Sequence, residues 1–381
     1  MHINSKLPNV GTTIFATMSK MAKDYNALNL SQGFPDFPVS PELIEGVHHY
    51  MKAGFNQYPP MTGMPQLRER IAEKIEKSYS AKVVDVDTEI TLTAGAIEAI
   101  NATITTLVNK GDEVIMMVPA YDAYDPIITQ NGGIAISIAL TQPNFAIDWE
   151  TVREKVNAKT RMIIINSPHN PTGAMIDARD LEVLAEITRD TNIIVLSDEV
   201  YEHIVFDGRA HESVLKHEEL RQRSVATFSF GKTFHATGWR IGYMVAPDWI
   251  TAEVRKVHQY MAFTVHTPSQ LAIADYLENA DHYNNLGAFY QQKRDLFLDL
   301  IKDSRFESLP SNGTYFQLLS YKSISEKPDL EMAEWLTKEK GIASIPISVF
   351  YDTKEDNKML RFCFAKSEET LIKAAEILCA I

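Results

Sequence analysis

Cysteine is nearly absent from the chain: only Cys363 and Cys379 occur in 381 residues. Two thiols cannot build a disulfide framework or a four-cysteine zinc site, and they read as the reduced thiols of a cytoplasmic protein. Basic charge is also scarce, with 37 Lys and Arg against 50 Asp and Glu and a formal net charge of -13. Nucleic acid and anionic membranes attract basic surfaces, so neither is expected as a partner. Long apolar runs are missing. Nothing approaches the ~18 residues of a membrane span. Asn4, Ser5, Lys6, Pro8, Lys20 and Lys23 break up the segment where a secretion signal would need its apolar centre. No low-complexity stretch or 20–50-residue repeat is visible, which excludes solenoids and propellers. There is no G-x-G-x-x-G fingerprint, and the eleven histidines form no H-E-x-x-H pair, so no metal site is expected.

What remains is an ordinary globular composition, 45% hydrophobic and 23% charged, in a chain long enough for about two to three domains. Strand-like runs fall at residues 89–93, 113–118, 134–139, 162–166, 193–197, 225–229 and 241–246. Several are continuously apolar, as strands covered on both faces should be. Helical patterns at 96–108, 121–130 and 177–189 lie between them. This alternation predicts an α/β fold: a large domain with a mostly parallel seven-stranded sheet flanked by helices. After Pro268 the pattern becomes α+β, with helices expected at 269–278, 285–303, 330–340 and 367–378 and strands at 314–319 and 359–365. Residues 32–41, rich in Pro and Gly, read as a connector. The expected division is a large domain over residues 45–280 and a smaller, discontinuous one from residues 1–44 and 281–381.

Ligands of open α/β sheets bind beyond the carboxyl ends of the strands. Here those ends carry Asp198-Glu199-Val200-Tyr201, Ser167-Pro168-His169-Asn170-Pro171-Thr172-Gly173, Phe230-Gly231-Lys232-Thr233 and Ala94-Gly95-Ala96. Together they offer an acid, an amide, a lysine and a helix start able to receive an anion. Gly231-Lys232-Thr233 also looks like the end of a P-loop, but Ala226 stands where that pattern needs its first glycine. The residues after Thr233 are also poor helix formers.

Asn170-Pro171-Thr172-Gly173, Asp198-Glu199-Val200-Tyr201, Ser229-Phe230-Gly231-Lys232-Thr233 and Gly238-Trp239-Arg240-Ile241-Gly242-Tyr243 resemble the motifs of class I/II pyridoxal-phosphate aminotransferases of fold type I. The likeness runs from Ser31-Gln32-Gly33-Phe34-Pro35-Asp36-Phe37 to Leu360-Arg361-Phe362-Cys363-Phe364. The wording is most similar to the methionine and kynurenine aminotransferase branch.

The resemblance implies pyridoxal 5'-phosphate as cofactor, attached through Lys232, which also moves the substrate proton. Asp198 is expected at the pyridine nitrogen, with Tyr201 and Asn170 on the ring oxygen. The phosphate falls to Gly95 and Ala96 at a helix start, to Ser229 and to Arg240. Ile97 stands where relatives often carry a polar residue. Tyr121 is expected on the cofactor face. Tyr58 is expected at the phosphate of a neighbouring subunit, which implies a homodimer. Arg361 should clamp the substrate carboxylate with a fork that lysine cannot reproduce, and the Gly33 backbone should approach the same carboxylate. Ile14, Phe15, Tyr58, Tyr121 and Phe350 are candidate pocket residues. His169 and His235 either shape the pocket or are simply packed.

The implied activity is transamination between an apolar, sulfur-containing or aromatic L-amino acid and a 2-oxo acid. A C–S β-lyase would use the same Lys232, Asp198 and Arg361. A non-enzymatic effector-sensing domain would need an appended DNA-binding segment.

Overall fold

A computed structural model describes residues 3–79 and 84–381, so the first two residues of the expected small domain lie outside the described residues. The seven expected strands form one sheet in the order Ile90–Thr93, Gly242–Val245, Ser224–Ser229, Ile194–Asp198, Thr160–Asn166, Glu113–Val118, Ile134–Ala139. Only Gly242–Val245 runs against the others, pairing antiparallel with both neighbours. The central strands Ile194–Asp198 and Ser224–Ser229 are buried along their whole length, as strands covered on both faces are. The edge strand Ile134–Ala139 is mostly half-exposed.

Parallel register lines up the carboxyl ends. Asn166 sits beside Asp198, and Asp198 beside Thr227. Gly242 pairs with Thr93 and with Ser229, so the first residue of the antiparallel strand joins the same edge. The helix Ala96–Leu107 leaves this edge through Gly95. It is rich in Ala and Ile and is buried on most sides between the sheet and the helix Asp248–Met261.

The helices the sequence reading did not give include Ile14–Asp24, Pro41–Lys52, Pro65–Tyr79, Trp149–Lys155 and Asp248–Met261. Pro41–Lys52 lies along Thr267–Tyr276, with Gly46 against Ala272, where an added Cβ would come within 3.1 Å of the alanine methyl. The helix expected over residues 121–130 starts only at Tyr124, leaving Tyr121 on the preceding turn. The helix expected over 330–340 is α-helical over Asp329–Trp335 and widens into a π turn over Leu336–Lys340.

The C-terminal part holds an antiparallel sheet in the order Ile345–Pro346, Met359–Cys363, Phe316–Ser320, Glu307–Ser308. Near the amino end of the chain, Leu28–Asn29 pairs in parallel with Ile342–Ala343, and the Leu30 carbonyl accepts from the Cys363 N–H at 2.8 Å. Ser31–Gly33 are thereby fixed beside the strand that carries Arg361. Among the described residues, no helix is long and apolar enough to cross a membrane.

Candidate active site

The edge where the strands end faces a cavity of about 210 Å³. Phe15, Gly33, Ala96, Ile97, Tyr121, Asn170, Asp198, Tyr201, Ser229, Lys232, Arg240 and Arg361, all read from the sequence, line it together. Its remaining lining includes Gln32, Asn166, Val200 and Phe316, which sequence reasoning did not single out.

Lys232 sits on the short helix Phe230–Thr233 that follows the strand Ser224–Ser229. Its Nζ donates to Tyr315 Oη at 2.7 Å and to the Gly33 carbonyl at 3.2 Å. Tyr315 also donates to the Gly33 carbonyl at 2.5 Å. Burial lowers the Lys232 ammonium to about 8; Arg361 and Arg240 push the same way, while Cys363 and Asp198 oppose them. A buried amine that sheds its proton near neutrality is a ready nucleophile. Gly33 thus meets Lys232 through its carbonyl, a contact additional to the expected approach to a carboxylate.

Asp198 ends its strand fully enclosed. Burial raises it to about 6, while a hydrogen bond from Tyr124, the Val200 N–H and nearby Lys232 pull it down. Tyr124 donates to Asp198 Oδ2 at 2.6 Å, and Asp198 Oδ1 accepts from the Val200 N–H at 3.4 Å. Asn166 donates to the Asp198 carbonyl at 2.8 Å, and its own Oδ1 accepts the Asn170 N–H at 2.8 Å. The two neighbouring strand ends are therefore locked to each other.

Arg361 is 1% exposed. Its Nη1 donates to Asn170 Oδ1 at 2.8 Å and its Nη2 to the Ser31 carbonyl at 3.0 Å, while its Nε is buried without a partner. The guanidinium lies 3.9 Å from the centre of the Phe316 ring, with Phe15 and Phe350 at 5.1 and 5.6 Å. Burial lowers its pKa. A buried cation with an unanswered donor suits an incoming anion.

A second anion-ready corner lies at the start of Ala96–Leu107. Gly95 has φ +77, and a Cβ there would fall 2.4 Å from Arg240 Nη2, so the guanidinium lies directly over the turn. A Cβ on Gly242 would meet the Ala96 nitrogen at 2.8 Å. Only glycine allows both approaches. Free N–H groups, the helix dipole and Arg240 converge there, with Ser229 on the same cavity wall. Ile97, 38% exposed, adds no hydrogen-bonding group.

Five further residues named from the sequence lie outside this cavity. Tyr58 is not among the residues that line this cavity; it is 84% exposed, and its ring meets that of Phe263 edge-on at 5.5 Å. Ile14 and Phe350 line an adjoining open cavity of about 940 Å³, which shares Phe15, Ile97 and Tyr121 with the first. His169 and His235 are packed histidines. Burial lowers His169 to about 3, with its Nδ1 held at 2.8 Å from Thr172 Oγ1. Burial lowers His235 to about 4 among the rings of Phe37, Phe289 and Tyr290.

Tyr124 and Tyr315 are the functional candidates that the sequence concealed. Each had a weak signal: Tyr124 follows Tyr121 by three residues, and Tyr315 is the second residue of the strand expected at 314–319.

A buried amine of lowered pKa, a carboxylate held by two donors and two separate anion-ready corners suit an enzyme that works on anionic ligands through an amine nucleophile. Residues 25–378 match the family model "Aminotransferase class I and II". The chain is 50% identical to the methionine aminotransferase of Escherichia coli over 98% of this chain and 96% of that one. It is 30% identical to human kynurenine–oxoglutarate transaminase 3 over 98% and 89%. The crystal structure of the Escherichia coli methionine aminotransferase YbdL matches with a TM-score of 0.98 at 49% identity, covering all of both chains. The chain belongs to the class I and II aminotransferases, and is a pyridoxal-phosphate-dependent enzyme of fold type I.

Proposed function

We propose that the enzyme transfers the amino group of an apolar, sulfur-containing or aromatic L-amino acid, methionine foremost, to a 2-oxo acid. The observation that carries this is the surround of Arg361: Phe15, Phe316 and Phe350 ring the guanidinium. Among the described residues, the two joined cavities offer no arginine besides Arg240 and Arg361 for a side-chain carboxylate. The likeness to methionine and kynurenine transaminases supports the same substrate range. A panel of amino donors with 2-oxo acid acceptors tests it. Methionine and aromatic donors should outrun aspartate and glutamate. Pyruvate and ammonia released from cysteine conjugates with no acceptor present would instead establish the β-lyase.

Pyridoxal 5'-phosphate supplies, when bound, a carbonyl that takes up nitrogen and a ring that withdraws electrons from the substrate Cα. The residues present fit it. Lys232 Nζ would hold it covalently and, when displaced, would carry the proton to and from the substrate Cα. Asp198 keeps a proton on the pyridine nitrogen. Asn170 Oδ1 is taken by Arg361, so its Nδ2 is the end left to donate to the ring oxygen, alongside Tyr201. Gly95, Ala96, Ser229 and Arg240 would receive the phosphate, and Tyr121 would cover the ring. Arg361 binds the substrate carboxylate.

We further propose a homodimer in which Tyr58 completes the neighbouring site; its exposure in the single chain supports this. The division into domains is supported by the pairing of Leu28–Asn29 with Ile342–Ala343. Its first boundary belongs at Ser40 rather than residue 44, since residue 44 would split the helix Pro41–Lys52. The two unpaired thiols, Cys363 buried and Cys379 exposed, support a reducing, cytoplasmic setting.

A further inference from the structure

Behind the phosphate corner lies a buried pair that has no place in the chemistry described so far. Glu98, in the first turn of Ala96–Leu107, reaches back so that Oε2 accepts the Ala94 N–H at 3.0 Å. Its other oxygen lies 2.9 Å from His258 Nδ1. His258 is fully buried on the helix Asp248–Met261, and its Nε2 lies 3.0 Å from the Met61 carbonyl. Met61 belongs to the loop that carries Tyr58. That loop is tied down at two further points: Thr267 Oγ1 donates to the Gln57 carbonyl at 2.8 Å, and Thr264 Oγ1 to the Pro60 carbonyl at 3.3 Å.

The protonation state follows from the partners. A carbonyl oxygen only accepts, and an ionised carboxylate only accepts. With one on each ring nitrogen, an ionised Glu98 leaves both nitrogens as donors, and this geometry favours the imidazolium form of His258. Burial opposes that charge, but Glu98 and the Met61 carbonyl outweigh it, leaving the group above its ordinary value; Arg255 on the same helix acts against them.

The charge has a consequence at the helix start. An unpaired Glu98 carboxylate would stand one turn from a bound phosphate and repel it. Paired with His258, it contributes no net charge and still grips the Ala94 N–H. We infer that His258 is a positioning residue for the cofactor phosphate: it neutralises and orients Glu98, which fixes the Ala94–Gly95 turn, and it ties that turn to the loop bearing Tyr58. The inference rests on the proposal that this helix start receives the phosphate.

The test titrates the cofactor-stripped full chain with pyridoxal 5'-phosphate and, separately, with pyridoxal, following the absorbance of the lysine adduct. In the wild type, the phosphate form should bind far more tightly. His258→Gln should weaken pyridoxal 5'-phosphate by about tenfold or more, the loss expected for a charged hydrogen-bond partner, and pyridoxal by less than about threefold. Glu98→Gln combined with His258→Gln removes the orphaned carboxylate and should recover part of the loss. Equal weakening of both ligands, no weakening, or a double variant no better than His258→Gln would overturn the inference. A wild type that does not prefer the phosphate form would overturn the proposed phosphate site itself, and this inference with it. NMR of labelled histidine in the unsubstituted protein gives an independent check. His258 should be an imidazolium at neutral pH and respond to inorganic phosphate; a neutral ring would refute its charge role.

Discussion

The Tyr124 hydroxyl donates to Asp198 Oδ2 at 2.6 Å, from a helix start on the far side of the strand end. The bond joins a residue that the sequence reading left unassigned to the carboxylate expected at the cofactor's ring nitrogen. Burial alone lifts Asp198 toward the protonated state, and Tyr124 is the strongest of the groups pulling it back to about 6. Asp198 must be ionised to hold a proton on the ring nitrogen, so activity should fall as pH drops through its pKa. Tyr124→Phe removes the restraint and should move the acid limb of kcat/KM to higher pH by about one unit, taking about 1.4 kcal/mol per unit. An unchanged limb would show that Tyr124 only packs.

Lys232 is expected to carry the cofactor. Borohydride reduction followed by peptide mapping should place a pyridoxyl group on Lys232 and on no other lysine. Lys232→Ala should reduce turnover by at least about 10³-fold, within the range for losing a positioned proton carrier, while some cofactor still binds at the Gly95–Arg240 corner.

Arg361→Lys removes the fork that binds a carboxylate and frees the Asn170 amide, whose Oδ1 it now holds at 2.8 Å. We expect kcat/KM for methionine to fall about 30–100-fold, in line with the loss of a bidentate charged pair. Cofactor affinity should move by less than about threefold. Equal losses in both would refute the carboxylate role.

The sequence disclosed the sheet and the cavity lining through two kinds of signal. Unbroken apolar runs such as Met162–Ile165, bounded by turn residues, fit strands buried on both faces. Polar residues placed just after them, Asn170, Asp198 and Lys232, then have to share one edge. Pro65–Tyr79 stayed hidden because Arg, Glu and Lys crowd its sequence, and Lys74, in its middle, is buried rather than exposed. Tyr315 and Tyr124 stayed hidden because their roles depend on contacts 83 and 74 residues away along the chain. No local spacing encodes such a distance.

Lys74 shows what that pairing is worth. It bonds to Glu202 and, at 2.8 Å, to Tyr243 Oη, with both charges 2–3% exposed. Tyr79 also donates to Glu202. Burial opposes the Glu202 charge, but Lys74 and its other partners hold it down to about 2. Its share of stability is therefore present above the ordinary carboxylate pKa and lost as pH falls toward 2. Lys74→Met leaves Glu202 uncompensated and should cost about 3–5 kcal/mol in denaturant melts at neutral pH. That cost should shrink in acid as Glu202 becomes protonated. A cost independent of pH would assign it to packing alone.

Tyr58 decides how the two chains of the proposed dimer share their sites. It projects into solvent beside Phe263, on the loop that His258 anchors through Met61. If it serves the neighbouring phosphate, Tyr58→Phe should weaken cofactor binding by about three- to tenfold, as expected for one hydrogen bond to a charged group. Mixing then separates the chains. A hybrid of Tyr58→Phe and Lys232→Ala subunits has one site that combines an intact Lys232 with an intact Tyr58 from the other chain. That site should bind pyridoxal 5'-phosphate with wild-type affinity and turn over methionine. If Tyr58 acted within its own chain, every lysine-bearing site in the hybrid would keep the weakened affinity.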